Sequence, residues 1–256
     1  MLEYRNAFAA RDYEKALALL EKSELKKDQK SALLWHLERG SLALTRGNED
    51  TAVIHFQTAL DLIDRLYTKK LSAKAATLFV NDASDVFYGA NYERSYAHYF
   101  LAKALYSRYL KKGNKLDLNG ARAAVVAWDT YFTELQRASD SKTLYSTDLM
   151  LKVFGGQIHE VSKIRTDKQI ALQLYKDALH ILNTQGGIYS LFNKQNVDYI
   201  KYFESNGKPS SKLYEETPAK EDLKDFLHYK ILSLTKDVRG YDFEKEAKAL
   251  KPKTHI

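Results

Sequence analysis

The chain repeats a spacing of small and large apolar residues that fits one face of a helix. A small residue is followed four positions later by a large apolar one and, after three more, by another small one. Positions separated by three, four and seven residues share a helix face, and small residues let a neighbouring helix approach closely. The pattern therefore predicts the second helix of a helical hairpin. It occurs as Ala16, Leu20 and Ser23, as Ala52, Phe56 and Ala59, and as Ala171, Tyr175 and Ala178.

A polar segment typical of a turn precedes each of these patterns. The three segments are residues 11–13, 47–50 and 165–168. Apolar periodicity elsewhere predicts a long helical stretch over residues 72–110, interrupted at Gly89, and a helix over residues 120–135. Residues 111–119 between them, which include Gly113 and Asn114, predict a loop.

Glycine and proline indicate further helix limits in the second half of the chain. The pairs Gly155-Gly156 and Gly186-Gly187 lack the preceding strand and following Lys-Ser/Thr of a phosphate-binding loop, so they are interpreted as helix ends. Thr217 followed by Pro218 predicts a helix start, and this helix continues to about Lys236.

The clearest complete unit is the segment from residue 33 to residue 66. Trp35 and Gly40 lie on its predicted first helix, and Gly47 begins its turn. This unit resembles a tetratricopeptide repeat, a helical hairpin of about 34 residues, although Asp64 stands where that family usually has proline. The aromatic and small residues of the unit, including Trp35, Ala43 and Phe56, are interpreted as packing between the helices.

The resemblance implies an all-α fold, a right-handed α-solenoid of tetratricopeptide-like hairpins whose repeats are degenerate. It implies two parts, a solenoid over residues 1–185 and a helical extension over residues 186–256 packed on it. Composition agrees, because three prolines and eleven glycines among 256 residues are typical of helix-rich proteins.

Charge and cysteine content narrow the function classes. The formal net charge is +7, but basic and acidic residues alternate along most predicted helices, which favours a solvated surface over a nucleic-acid-binding face. The absence of cysteine excludes disulfides, thiolate catalysis and Cys-ligated zinc. No apolar run is long enough to predict a membrane-spanning helix, so we expect the chain as given to be soluble.

Two segments resemble a family of bacterial tetratricopeptide-type lipoproteins. They are Leu-Trp-His-Leu-Glu-Arg-Gly at residues 34–40, and a stretch running from Asn81-Asp82 through Tyr88-Gly-x-x-Tyr92-Glu93 to His98-Tyr99. The resemblance covers residues 11–180. It implies a lipid-anchored protein of the periplasm or cell envelope that holds a partner with its repeats. Family members begin with a secretion signal and a lipidated cysteine, so we expect Met1 to open a trimmed sequence.

No catalytic or metal-binding motif is present. The seven histidines lack HExxH or any other metal-ligand spacing, and no Gly-x-Ser-x-Gly elbow occurs. We therefore expect no enzymatic activity, no cofactor and no metal. A helical enzyme acting on glycans would need convergent carboxylates in a deep pocket, and we rank this alternative lowest.

One cluster concentrates amide, carboxylate, phenol and imidazole groups over a few helical turns. Its residues are Asn81, Asp82, Asp85, Tyr88, Tyr92, Glu93 and His98. They could bind a cation or orient a peptide backbone; alternatively, Asn81 and Asp82 cap a helix while the tyrosines pack between hairpins. The concave face of the first helices is expected to present further residues to a partner, namely His36, Arg39, Tyr92, Tyr96 and Tyr99.

The leading functional prediction is a scaffold that binds a protein or peptide. Eighteen tyrosines favour it, because tyrosine offers a large contact area at a small loss of entropy. A nucleic-acid-binding α-solenoid is the alternative. The residues that support this alternative are Lys69, Lys70, Lys74, Lys103, Lys111 and Lys112. They are explained more simply as solvent-exposed lysines at the ends of helices.

Overall fold

Ten helices make up the regular structure of the described residues. The computed structural model describes residues 1–28, 31–76, 91–138, 148–184 and 220–239, and these ranges contain no strand. The predicted all-α class is confirmed. The helices are α1 (Leu2–Ala9), α2 (Tyr13–Glu21), α3 (Glu24–Lys27), α4 (Ala32–Thr45), α5 (Glu49–Ala76), α6 (Asn91–Lys112), α7 (Lys115–Ala138), α8 (Leu149–Glu160), α9 (Arg165–Thr184) and α10 (Lys220–Arg239).

The chain divides into two units. The first spans Met1–Glu134 and the second spans Leu135–Ile256, so the division falls near the end of α7. The predicted limit between solenoid and extension, near residue 185, lies outside the described residues. Each unit is described by itself below.

Polar side chains start the helices where the sequence indicates turns. The Asp12 carboxylate accepts a hydrogen bond from the Lys15 backbone N–H (3.1 Å), and Asn48 Oδ1 accepts one from the Thr51 N–H (3.1 Å). These bonds satisfy backbone donors that have no partner within the first turn of a helix. The residue before Asp12, Arg11, has a φ of 59°, which reverses the chain direction after α1.

The connection between α6 and α7 is shorter than the loop predicted over residues 111–119. Helix α6 continues to Lys112, and α7 begins at Lys115. Gly113 has a φ of 69°, which ends α6, and Asn114 Oδ1 accepts a hydrogen bond from the Leu116 N–H at 3.0 Å. A two-residue turn is therefore sufficient.

In the first unit, the hairpin of α4 and α5 has the packing that the small–large–small pattern predicts. Ala52, Phe56 and Ala59 are fully buried on α5. The Phe56 ring lies over Gly40 of α4, where an added Cβ would be 2.9 Å from Cε1 of the ring. The Phe56 ring also stacks on Phe100 of α6, with 5.5 Å between ring centroids. A residue larger than glycine at position 40 would displace this ring.

In the second unit, α8 and α9 form a hairpin with the same relationship. Ala171, Tyr175 and Ala178 are fully buried on α9, and a Cβ added to Gly156 would lie 2.6 Å from Cε1 of Tyr175. The prediction that Gly155 and Gly156 end a helix is wrong, because both are buried inside α8. Glycine stands at position 156 because the aromatic ring leaves no room for a side chain.

Helix α10 covers the α9 side of this hairpin. Phe226, Leu227 and Leu234 of α10 belong to one core cluster with Leu172 and Tyr175 of α9. The ring of Phe226 meets that of Tyr175 edge to face, with 6.1 Å between centroids. An apolar stripe of α10 is therefore buried against α9.

In the first unit, helices pack on their neighbours in chain order. Contacts join α1 to α2, α2 to α4, α4 to α5 and α5 to α6. Trp128 of α7 donates its indole N–H to Ser95 Oγ of α6 at 2.8 Å. The first helices of successive hairpins also touch: Tyr4 Oη of α1 donates to Glu38 Oε2 of α4 at 3.0 Å, and α4 contacts α6.

No helix among the described residues has both the length and the apolar character needed to cross a membrane.

Candidate partner-binding site

The predicted site residues fall into three groups in the structure. Asn81, Asp82, Asp85 and Tyr88 lie outside the described residues. Tyr92 and Glu93 belong to the first turn of α6. Tyr96, His98 and Tyr99 lie further along the same helix. His36 and Arg39 lie on α4.

One face of α6 combines exposed aromatic, apolar and basic side chains. It consists of Tyr96, Tyr99, Lys103, Tyr106 and Leu110, and we call it the tyrosine face. Successive members are three or four residues apart, so they share one side of the helix over about 21 Å. Tyr96 is 55% exposed, Leu110 is 62% exposed and Lys103 is exposed, whereas Tyr99 and Tyr106 are half-buried.

Contacts within α6 and with α7 hold the aromatic rings of this face in place. Tyr96 lies beside Phe100 with 6.1 Å between ring centroids, and Tyr99 lies beside Trp128 of α7 at 5.6 Å. The Lys103 ammonium sits 5.8 Å from the centre of the Tyr99 ring, within the range of a cation–π interaction. The half-buried rings therefore support those that face solvent.

The small residues of α6 fix which side of the helix faces outwards. Ala97, Ala102 and Ala104 are fully buried, and Leu101 and Leu105 are nearly so. Ala97 packs with Leu33 of α4 and with residues of α5. Because these residues let the neighbouring helices come close, the tyrosine face is left on the opposite side.

His98 points away from the tyrosine face. It is largely buried and lies beside Tyr131 of α7, with 5.9 Å between ring centroids. Burial lowers the pKa of His98 to about 4. The imidazole is therefore neutral near neutral pH and acts as a packing group between α6 and α7.

His36 contacts a residue that the sequence did not place beside it. Its Nδ1 lies 2.9 Å from Nδ1 of His55 on α5, so one ring donates a hydrogen bond and the other accepts it. The Trp35 ring meets both imidazoles edge to face, with centroids 4.9 and 5.1 Å away. Burial lowers the pKa of His55 to about 4, and the charges of His36 and Arg39 act in the same direction. Sequence spacing contains no signal for this pair, since it depends on the rotation of α4 relative to α5.

Arg39 pairs with an acidic residue of the preceding hairpin. Its Nε donates to Glu21 Oε1 of α2 at 2.9 Å, and the arginine side chain is only 17% exposed. Burial tends to raise the pKa of Glu21, but hydrogen bonds from Lys26 and Arg39 outweigh it and hold the pKa below its usual value. Arg39 therefore joins α2 to α4 in this structure.

A second charged network joins the start of α5 to the end of α6. Glu49 pairs with Lys111 at 2.6 Å, and Asp50 pairs with Lys112 at 2.7 Å. Arg108 bridges Asp50 at 3.1 Å and the buried Asp117 of α7 at 2.6 Å. Two of the lysines that could have favoured nucleic acid are thus occupied by carboxylates.

Among the described residues, the structure offers a candidate cavity for a small molecule and no candidate metal site. A cavity of about 540 Å³ lies among α1, α2 and α3, and Tyr4, Leu19 and Leu25 are among its lining residues. Within the part of the chain that the structure describes, no three histidine, aspartate or glutamate side chains are grouped so as to hold a metal ion.

No protein-family model matches the chain, and neither a curated protein nor a solved structure matches it.

Proposed function

We propose that the chain is a scaffold that binds a protein or peptide, built from tetratricopeptide-like hairpins stacked as a right-handed α-solenoid. The observation that carries the proposal is the tyrosine face of α6, a row of supported aromatic side chains on a first helix. The few residues that dominate the binding energy of protein interfaces are enriched in tyrosine and tryptophan. Rings already held by Phe100 and Trp128 lose little further freedom on binding.

The two related hairpins support the solenoid. In both, a glycine of the first helix receives the aromatic ring of the second, and alanines flank that ring four residues before and three residues after. In the α4–α5 hairpin, Gly40 and Phe56 are 16 positions apart. In the α8–α9 hairpin, Gly156 and Tyr175 are 19 positions apart. A repeated hairpin with one packing rule is the unit from which solenoids are built.

Contacts between successive hairpins of the first unit also support it. The second helix of one hairpin packs on the first helix of the next, as α2 does on α4 and α5 on α6. First helices meet one another through Tyr4 and Glu38, and through α4 and α6. Stacked repeats make this set of nearest-neighbour contacts and form one continuous surface from their first helices.

The cellular location that we propose follows from two sequence segments. The segments at residues 34–40 and 81–99 resemble bacterial tetratricopeptide-type lipoproteins, so we propose a lipid-anchored protein of the cell envelope. Metabolic labelling of the full native gene product with a palmitate analogue, followed by membrane fractionation, tests this. An unlabelled product in the cytosolic fraction would exclude the envelope proposal without affecting the scaffold proposal.

Selection from a random peptide library on the immobilised chain tests peptide binding directly. We expect enrichment of related peptides, which bind the folded chain in solution with a defined stoichiometry. The control is a heat-unfolded sample of the same chain. If no peptide family is enriched above this control, and crosslinking in the native host captures no protein, the scaffold proposal is wrong.

A further inference from the structure

The tyrosine face carries a single charged side chain, that of Lys103. Helix α6 contains one acidic residue, Glu93, and five basic residues, Arg94, Lys103, Arg108, Lys111 and Lys112. Arg94 is buried, and the last three pair with Glu49, Asp50 and Asp117. Lys103 forms no ion pair with a described carboxylate, and its ammonium rests over the Tyr99 ring.

Lys103 therefore gives an otherwise uncharged face a positive centre. Two tyrosines stand beside it, Tyr99 one turn before and Tyr106 one turn after, and Tyr96 and Leu110 extend the face on either side. The ammonium can pair with a carboxylate, while the rings and Leu110 can bury apolar side chains. The alternating spacing of three and four residues is the one that a second helix packs against.

We infer that the tyrosine face of α6 binds an acidic amphipathic helix, with a carboxylate of that helix paired to Lys103 and its apolar side chains packed on Tyr96, Tyr99 and Leu110. This inference rests on the proposed scaffold function and specifies its partner class. The face spans about 21 Å, which a partner helix of about 14 residues matches in length.

The charge distribution favours a peptide over a single-stranded nucleic acid. A nucleic acid that stacks its bases on aromatic rings also needs several cations along its phosphate backbone. The tyrosine face has one lysine, and Arg108, Lys111 and Lys112 already have carboxylate partners within about 3 Å. One lysine that has no carboxylate partner among the described residues suits one carboxylate of a peptide.

Fluorescence anisotropy with the full chain tests the inference. The probe is a labelled peptide of about 14 residues, with leucine on one helical face and glutamate elsewhere. Three comparison probes are a peptide with lysine in place of each glutamate, a scrambled acidic peptide without an apolar face, and single-stranded oligothymidine. We expect the amphipathic acidic peptide to bind more tightly than all three.

Substitutions at two positions, 103 and 96, locate the binding site. Lys103→Glu should lower the affinity for the acidic peptide by about fivefold or more, because the attraction between Lys103 and a peptide carboxylate becomes a repulsion. Tyr96→Ala should lower the same affinity by about tenfold. Tyr96→Phe should retain most of the affinity, because the ring provides the contact. The matched control is Lys176→Glu, which reverses the charge of an exposed lysine in the middle of α9. All four variants alter exposed side chains and should keep the thermal midpoint of the parent.

Each other outcome overturns the inference. If the lysine peptide binds as tightly as the acidic amphipathic peptide, the negative charge is not recognised. If the scrambled peptide binds as tightly, the apolar helical face is not recognised. Tighter binding of oligothymidine that Lys103→Glu weakens would assign the face to nucleic acid. An unchanged affinity in both Lys103→Glu and Tyr96→Ala would place the site elsewhere. If none of the probes binds but library selection yields ligands, this inference fails while the scaffold proposal stands.

Discussion

A Cβ atom on Gly40 would lie 2.9 Å from Cε1 of Phe56, so glycine on α4 provides the space that the aromatic ring of α5 fills. Gly156 and Tyr175 have the same relationship in the second unit at 2.6 Å. Glycine within a helix is normally unfavourable relative to alanine by about 1 kcal/mol. Its presence at both sites is explained by the close approach of the aromatic ring.

Gly40→Ala should therefore destabilise the protein, although the same change stabilises most helices. Phe56 is fully buried and stacked on Phe100, so its ring has no room to move away. Overpacking costs about 1–3 kcal/mol, which exceeds the gain of about 1 kcal/mol in helix propensity. Urea denaturation followed by circular dichroism measures the difference in the free energy of unfolding.

Gly120→Ala is the matched control for this prediction. A Cβ there would lie 3.3 Å from a methyl group of Leu105, a flexible side chain that can adjust. We expect a neutral or slightly stabilising effect. Equal stability of Gly40→Ala and the parent protein would show that the Phe56 ring does not restrict position 40.

Ser95→Ala should destabilise the contact between α6 and α7. The substitution removes the acceptor of the buried Trp128 indole N–H, and an unsatisfied buried donor costs about 1–3 kcal/mol. Chemical denaturation followed by tryptophan fluorescence measures the change. Ser41→Ala, which removes only a hydrogen bond to the Leu37 carbonyl within α4, should change stability by less than about 0.5 kcal/mol. If the two variants are equally stable, the indole bond contributes nothing.

Stability should fall as the pH decreases from about 6.5 to about 4. Burial lowers the pKa of His55 and of His98 to about 4, from an ordinary value of 6.5. Across this window the unfolded chain binds protons that the folded chain does not, so the free energy of unfolding is highest above the window and decreases through it. Urea denaturation at about pH 7 and about pH 5 measures the slope.

The double variant His55→Gln, His98→Gln should reduce this slope, because it removes two groups whose pKa is lower in the folded state than in the unfolded state. His228→Gln, a change at an exposed position of α10, is the control and should keep the slope of the parent. A slope unaffected by the double variant would assign the pH dependence to other groups.

Leu227→Ala should release α10 from α9. Leu227 is fully buried in the cluster that joins the two helices, and truncating a buried leucine costs about 2–5 kcal/mol. Hydrogen exchange should accelerate at residues 220–239, since local opening depends on the stability of that contact. His228→Ala alters the neighbouring exposed position and should leave exchange unchanged. Parent-like protection in Leu227→Ala would contradict the packing described for α10.

Much of the local structure could be predicted from the sequence. Alanines and aromatic residues at helical spacing identified the buried faces of α5 and α9, and the polar segments that contain Asp12 and Asn48 identified the turns before α2 and α5. In the first pattern, Ala16 and Leu20 are buried as expected, but Ser23 lies beyond the end of α2. These features depend on neighbours in the chain, which a single sequence displays.

Two predictions that failed concern where helices begin and end. Gly155 and Gly156 resemble a helix end in sequence, yet they lie inside α8 because the Tyr175 ring occupies the position of a side chain. The loop predicted over residues 111–119 is mostly helical, because Gly113 and Asn114 alone complete the turn.

The sequence by itself determined the helical class, the hairpin spacing and the residues that form the helix contacts, because these follow from the period of the helix and from side-chain size. Only the tertiary structure decided which polar side chains meet. It pairs His36 with His55 and Arg39 with Glu21, and it leaves Tyr96 and Lys103 facing solvent while His98 is partly buried beside Tyr131. The physical reason is that the rotation of each helix about its axis is set by the packing of all its neighbours together, and no single segment of the chain specifies it.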